Sequence, residues 1–250
     1  MAPWVAGRLG LDSGCLMGTA SFMKRSRAMA SAWGAQAPMA DVAAVVPLSR
    51  YPGDWPAGAA AVATLVQLFV CFGNIDYFDE NALVELTQCA LLLSATALFC
   101  VAAGKTADRL TLVRLLALAV FSLTVLFREI EVEGTPFGPY LEFTRRYELK
   151  YVFLGVLWLS LLLRSRGRLK ESFVTMLRWL VTHPGKFLLA GVVFYLLGDA
   201  AEKHLFVADA DLSRMIEESL ETLGTLSIFL SAYGALRRQL IFSAILPRKP

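Results

Sequence analysis

ALVELTQCALLLSATALFCVAA, residues 82–103, carries a single charged side chain, Glu85, and LTLVRLLALAVFSLTVLFREI, residues 110–130, follows it after the polar break GKTADR. A helix needs about 20 predominantly apolar residues to cross the hydrocarbon core of a bilayer. Both stretches meet that length, so this region predicts a transmembrane hairpin. Outward from it, the same test finds four more segments, at 57–77, 148–164, 186–206 and 213–236. The expectation is an all-α, polytopic membrane protein with six transmembrane helices. The segment at 148–164 is the shortest, because its strictly apolar part, Tyr151 to Leu163, has a length that also suits a buried or re-entrant helix. Composition agrees: 56% of the 250 residues are hydrophobic, 18% are charged, and mean hydropathy is +0.56. Average globular domains are roughly a quarter charged, which excludes an ordinary soluble domain.

Charge decides the orientation. Lys24, Arg25, Arg27 and Arg50 precede the first segment, Lys105 and Arg109 follow the second, Arg164, Arg166, Arg168 and Lys170 follow the fourth, and Arg237, Arg238, Arg248 and Lys249 follow the sixth. The alternate loops carry Asp76, Asp79 and Glu80, then Glu131, Glu133 and Glu142, then Asp209 and Asp211, with Arg145 and Arg146 as exceptions. Six crossings place every basic group on one side, which the positive-inside rule makes cytoplasmic, together with both termini. Losing the fourth crossing would put RSRGRLK (164–170) on the wrong side. The expected location is a bacterial inner membrane, with an organellar membrane as the alternative.

Residues 1–50 are rich in Ala, Gly, Ser and Met, lack sustained helical periodicity, and read as a flexible basic arm. A transit peptide, or an extension upstream of initiation at Met39, are the other readings of this arm. Residues 51–240 form the expected transmembrane domain, and 241–250 a short basic tail. Between the fourth and fifth segments, Leu169, Phe173, Met176, Leu177 and Leu180 recur at helical spacing opposite Lys170, Glu171 and Arg178. That pattern predicts one amphipathic helix on the cytoplasmic surface, or a covered connector helix.

Charged or amide side chains inside a spanning helix cost a few kcal/mol and mark candidate functional sites. Here they fall in stripes: Gln67, Cys71 and Asn74; Asn81, Glu85 and Gln88; Thr124, Arg128 and Glu131, with Glu129 beside them; Tyr195, Asp199 and Glu202; Glu218, Glu221 and Thr225, with Glu217 adjoining. Spacings of three and four keep the members of a stripe on one helix face. In the six-pass topology every stripe lies at the extracytoplasmic end. The candidate pocket therefore comprises Asn74, Glu85, Gln88, Arg128, Glu131, Tyr195, Asp199, Glu202, Glu218, Glu221 and Thr225. Several carboxylates around one internal arginine cannot all stay ionised in a dry site without counter-charge.

Carboxylates and amides without His or Cys suit a hard divalent cation such as Ca²⁺, Mg²⁺ or Mn²⁺. The leading reading is binding, with or without transport, of a cation or polar small molecule. An enzyme acting on a lipid headgroup, with Glu85, Glu218 or Glu221 as base for a metal-bound water, is one alternative. A structural protein, its acids paired with Arg128, Arg145, Arg146 and Lys203, is the other. The chain shows no nucleophile elbow, P-loop, GxGxxG or HExxH. Two histidines and four cysteines without a CxxC pair offer no metal framework, and the cysteines read as small buried hydrophobes. Trp158 and Trp179 read as packing or interface anchors, and His204 as an interfacial residue. A net charge of +3 is too small to point to nucleic acid, so the expected partner is the lipid bilayer.

Three motifs, Glu80-Asn81 leading to Glu85, FREIE at 127–131 and EESLETLG at 217–224, resemble those of a group of small bacterial inner-membrane proteins with six predicted helices and no assigned activity. The resemblance covers residues 57–236 and implies the six-helix architecture, but no chemistry.

Overall fold

The apolar hairpin at 82–130 folds as α2 (Leu83–Lys105) and α3 (Arg109–Glu129). Asp108 ends the turn between them and starts α3, its Oδ2 accepting from the Thr111 amide at 2.8 Å. This is the N-cap role for which Asp is favoured, since the first helical amides have no partner within the helix. Partial burial would push the Asp108 carboxyl up, but its hydrogen bonds from Thr111 and Leu110, with the nearby charge of Arg114, hold it below the usual range.

A computed structural model describes residues 55–78, 83–129, 149–205 and 207–245. The expected arm at 1–50, Asp79, Glu80, Asn81, Glu131 and the terminal Arg248 and Lys249 lie outside the described residues. Within them every regular element is helical: α1 (Trp55–Cys71), a 3-10 turn (Ile75–Phe78), α2, α3, α4 (Leu149–Ser165), α5 (Leu169–Leu180), α6 (His183–Glu202) and α7 (Ala210–Ile245). Among the described residues three stretches are long and apolar enough to cross a membrane: Ile75–Lys105, Arg109–Glu129 and His183–Glu202. The 17 residues of α1 form a shorter apolar helix.

The centre of the fold is α7, packed between α6 and α2, with α3 against α2 and α4 against α3. This explains why the helix with the most charge is not apolar overall. Among the described large apolar side chains of α7 only Leu240 is exposed, whereas α1 and α4 present Phe69, Val70, Tyr151, Val156 and Leu163 outward. A helix surrounded by protein can carry polar groups that a lipid-facing one cannot. The core joins Leu92, Phe99, Leu115, Leu118, Leu188 and Ile228.

Helix directions follow from contacts at both ends. Lys150 Nζ at the start of α4 donates to the carbonyl of Phe127 at 3.3 Å, and the rings of Phe127 and Phe153 meet edge to face. At the other end of the pair, Arg109 Nη2 donates to the Arg164 carbonyl at 2.9 Å. So α4, despite its 17 residues, runs antiparallel along most of α3. Likewise Ser213 Oγ at the start of α7 donates to the Ala201 carbonyl late in α6, at 2.6 Å, and Pro184 at the start of α6 meets Gly234 far along α7. One end of the bundle therefore gathers Lys105, Arg109, Arg164, Arg166, Arg168, Arg237 and Arg238. The opposite end gathers Glu85, Glu129, Glu202, Asp209, Asp211, Glu217 and Glu218.

Three expectations change in detail. The first apolar segment stops at Cys71 rather than continuing to 77, because Gly73 adopts φ +99 and turns the chain out of the helix. The last helix runs from Ala210 to Ile245, so five residues of the expected tail are helical. The apolar stripe of α5 divides: Met176 and Leu180 pack on the core beside buried Trp179, while Leu169, Phe173 and Leu177 remain exposed in a row. The cysteines also divide. Cys71 is buried, Cys89 half-buried and Cys100 exposed, all three as free thiols.

Candidate functional site

At the acidic end, side chains from α2, α3, α6 and α7 form one connected cluster. Its centre is Glu221, on the α7 face that meets α6. Arg128, at the last turn of α3, donates from Nη2 to Glu221 Oε1 at 2.6 Å. The two partners differ sharply in environment, since the Glu221 side chain is 4% exposed and that of Arg128 is 50% exposed. Arg128 also places its guanidinium carbon 5.7 Å from the centre of the Tyr195 ring. The Tyr195 hydroxyl pairs with Thr225 Oγ1 at 2.7 Å, and Thr225 donates back to the Glu221 carbonyl, also at 2.7 Å.

Glycine makes this arrangement fit. A Cβ at Gly198 of α6 would come within 2.9 Å of Glu221 Cγ, and one at Gly224 of α7 within 2.8 Å of the Tyr195 ring. Small residues at these crossings let the helix backbones approach and leave room for the ring and the carboxylate.

A second arm of the cluster links α2 to α7. Gln88, fully buried, donates from Nε2 to Glu218 Oε2 at 2.9 Å and to Thr222 Oγ1 at 3.0 Å. Its amide oxygen, Oε1, is buried without a hydrogen-bond partner. The same holds for Glu129 Oε1 at the end of α3, on a side chain that is 9% exposed and whose nearest cation, Arg128 Nε, is 4.0 Å away. Glu85, Glu218 and Glu221 are the acidic neighbours whose charges act on Glu129. Five acids, Glu85, Glu129, Glu217, Glu218 and Glu221, thus share this end with Arg128 and with Arg214 at its edge.

Of the residues expected in the pocket, Glu85, Gln88, Arg128, Tyr195, Glu218, Glu221 and Thr225 come together. Asn74 does not join them: it lies past the end of α1, exposed, with its Oδ1 accepting from the Asp76 amide at 3.2 Å. From the same expected stripe, Gln67 instead ties α1 to α2, accepting from Thr87 Oγ1 at 2.9 Å and donating to the Leu83 carbonyl at 3.2 Å. Asp199 pairs with Lys203 one turn on, at 2.5 Å, both side chains substantially exposed, and Glu202 is exposed at the end of α6, so these two acids form the rim. Glu131 lies outside the described residues. His204, with φ +54, is exposed beyond α6 and takes no part. Three members were not in the expected pocket set: Glu129, one residue from Arg128, Glu217, beside Glu218, and Thr222, four residues from Glu218 and on its face.

Among the described residues no three His, Cys, Asp or Glu side chains are gathered as a metal-ligand set. Compared with known protein families, characterised proteins and solved structures, the chain matches none.

Proposed function

We propose that the chain is a six-pass inner-membrane protein with cytoplasmic termini, whose acid cluster binds a cation or an amine-bearing polar small molecule from the non-cytoplasmic side. The observation that carries this reading is the pair of buried acceptors, Gln88 Oε1 and Glu129 Oε1, left without donors in a cluster where acids outnumber arginines. A buried acceptor without a donor costs about 1–3 kcal/mol. A ligand that brings positive charge and N–H groups would supply donors of the kind these atoms lack and offset the excess of acids. An amine supplies its own donors and needs no tight ring of carboxylates. A divalent cation would need the acids to close around it.

The structural alternative draws on the Arg128–Glu221 pair and on the link from Gln88 to Glu218. Those contacts account for Glu221 and Glu218, and Arg128 Nε stands 4.0 Å from Glu129 Oε1, but neither Gln88 Oε1 nor Glu129 Oε1 gains a hydrogen-bond donor from them.

The binding reading is tested by thermal unfolding of the purified, chelator-treated chain in detergent with Ca²⁺, Mg²⁺ or spermidine. Stabilisation by a bound ligand grows as RT ln(1 + [L]/Kd). At least one probe should raise the melting temperature in that manner for wild type, and Glu129→Gln should remove the rise. Indifference of wild type to all three would leave the structural alternative in place.

The topology has its own test, which turns on α4. Fusion of a periplasm-active phosphatase after Glu133 should give activity, and fusion after Gly167 should give none. Activity after Gly167 would remove α4 as a crossing.

A further inference from the structure

At the basic end, α3, α4, α5 and α6 line a half-open cavity of about 380 Å³ that the acid cluster does not touch. That volume is within the roughly 300–1,000 Å³ of ligand cavities. Its walls are apolar side chains, among them Ala117, Phe121, Trp158, Met176 and Leu189, interrupted by only two polar residues, Arg114 and Ser172. Both have a buried atom without a hydrogen-bond partner, Arg114 Nε and Ser172 Oγ.

Arg114 is an unusual choice for this position. Its guanidinium lies 5.7 Å from the centre of the Trp179 ring, and its Nη2 reaches Thr111 Oγ1 only at 3.5 Å. Among the described residues it has no ion pair within 4 Å. Its charged neighbours are Asp108, the N-cap of α3, and Arg238 of α7. One carboxylate already engaged by the helix start faces two guanidiniums, so positive charge is in excess where the cavity is lined by hydrocarbon.

The position along the helix adds the remaining argument. Arg114 stands five residues into α3, roughly 7–8 Å along the axis at 1.5 Å per residue. In the six-pass topology proposed above, that is the depth at which the headgroup of a cytoplasmic-leaflet lipid gives way to its chains. The adjoining α5 exposes Leu169, Phe173 and Leu177 in one row, as a helix half-immersed in that layer would.

We propose that this cavity holds an acyl chain of an anionic phospholipid, and that Arg114, with Arg238 behind it, binds the headgroup phosphate while Ser172 donates to it or to the ester. Arg suits phosphate because its planar fork gives charge-assisted, bidentate hydrogen bonds. The apolar walls take the chain and the two unpaired donors take the head. The site rests on the membrane topology proposed above but not on the acid cluster, so failure of ligand binding at that cluster leaves it standing.

Native mass spectrometry from a neutral detergent tests the proposal, with dioleoyl phosphatidylglycerol, dioleoyl phosphatidylcholine and oleate each added to the full chain. Wild type should retain phosphatidylglycerol in preference to the other two. Arg114→Gln should weaken that retention about tenfold or more, the effect of one lost charge-assisted hydrogen bond. Arg114→Lys, which keeps the charge, should lose less. Ala117→Phe, which fills the cavity without touching the charge, should lower retention of every acyl-bearing probe and provides the check if Arg114→Gln fails to fold. Equal retention of phosphatidylglycerol and phosphatidylcholine, preference for oleate, or full retention by Ala117→Phe would each overturn the proposal.

Discussion

Gly191→Leu should cost about 3 kcal/mol or more, at the upper end of what overpacking a tight contact costs, and should leave little folded protein in the membrane. The reason is where α6 and α7 touch. A Cβ at Gly191 would sit 2.9 Å from the Gly224 carbonyl oxygen and 3.0 Å from Ile228 Cγ1. Backbone cannot move aside as a side chain can, so the helices would have to separate. Separation would pull Tyr195 from Thr225 and Gly198 from Glu221, so the cluster would open with the fold. Gly155, on α4, has nothing within 4 Å of the same hypothetical Cβ. Gly155→Ala should therefore be neutral or gain a few tenths of a kcal/mol from helix propensity. Chemical or thermal unfolding of the two variants checks the contrast, and equal stability would contradict the close α6–α7 contact.

Arg128→Met should destabilise by about 3 kcal/mol, and Glu221→Gln by about 1 kcal/mol. The asymmetry comes from burial, because removing one partner of a buried pair strands the other. Without Arg128, the carboxylate of Glu221, 4% exposed, loses its cation in the centre of four helices. Without the Glu221 charge, Arg128, half-exposed, can turn to water or to Glu129 and still donate to the amide oxygen of glutamine as a neutral partner. Because the stranded partner is the half-exposed one, the second loss stays well below the first. Urea unfolding of both single variants and of the double variant gives the coupling directly. Equal losses for the two single variants would contradict the burial difference.

Much of this was legible in the sequence because both signals are periodic. Apolar runs long enough to span located α2, α3 and α6 within a few residues, and stripes at spacings of three and four correctly grouped Glu85 with Gln88, and Glu218 with Glu221 and Thr225. What periodicity could not supply was the reach of long side chains and the exact end of each helix. Asn74 fits the stripe of Gln67 and Cys71 only if α1 continues, and a single glycine at 73 with positive φ breaks that continuity. Glu129 stands beside the stripe of Thr124, Arg128 and Glu131 and not in it, since a neighbour one residue on points about 100° away around a helix. Near the end of α3, though, Arg128 bends to α7 and Glu129 is buried on the same side. The stripe of α5 shows the converse, since one apolar face serves two surroundings, with Met176 and Leu180 in protein and Phe173 and Leu177 outside it.

Thr222 was recoverable, being one turn from Glu218 and carrying a hydroxyl within the polar segment EESLETLG. The cavity beside Arg114 was not. Its walls come from four helices, and no local pattern marks a void between them.

The claim at the centre of this account is that the carboxylates around Glu129 take a positively charged ligand. Infrared difference spectroscopy on the reconstituted chain, perfused alternately with buffer and with buffer containing Ca²⁺ or spermidine, reads those carboxylates themselves. The account predicts a reversible change in carboxylate stretching bands that Glu129→Gln diminishes and Gly155→Ala does not. Carboxylate bands that stay unchanged with either probe, in wild-type protein shown to be folded, would contradict it.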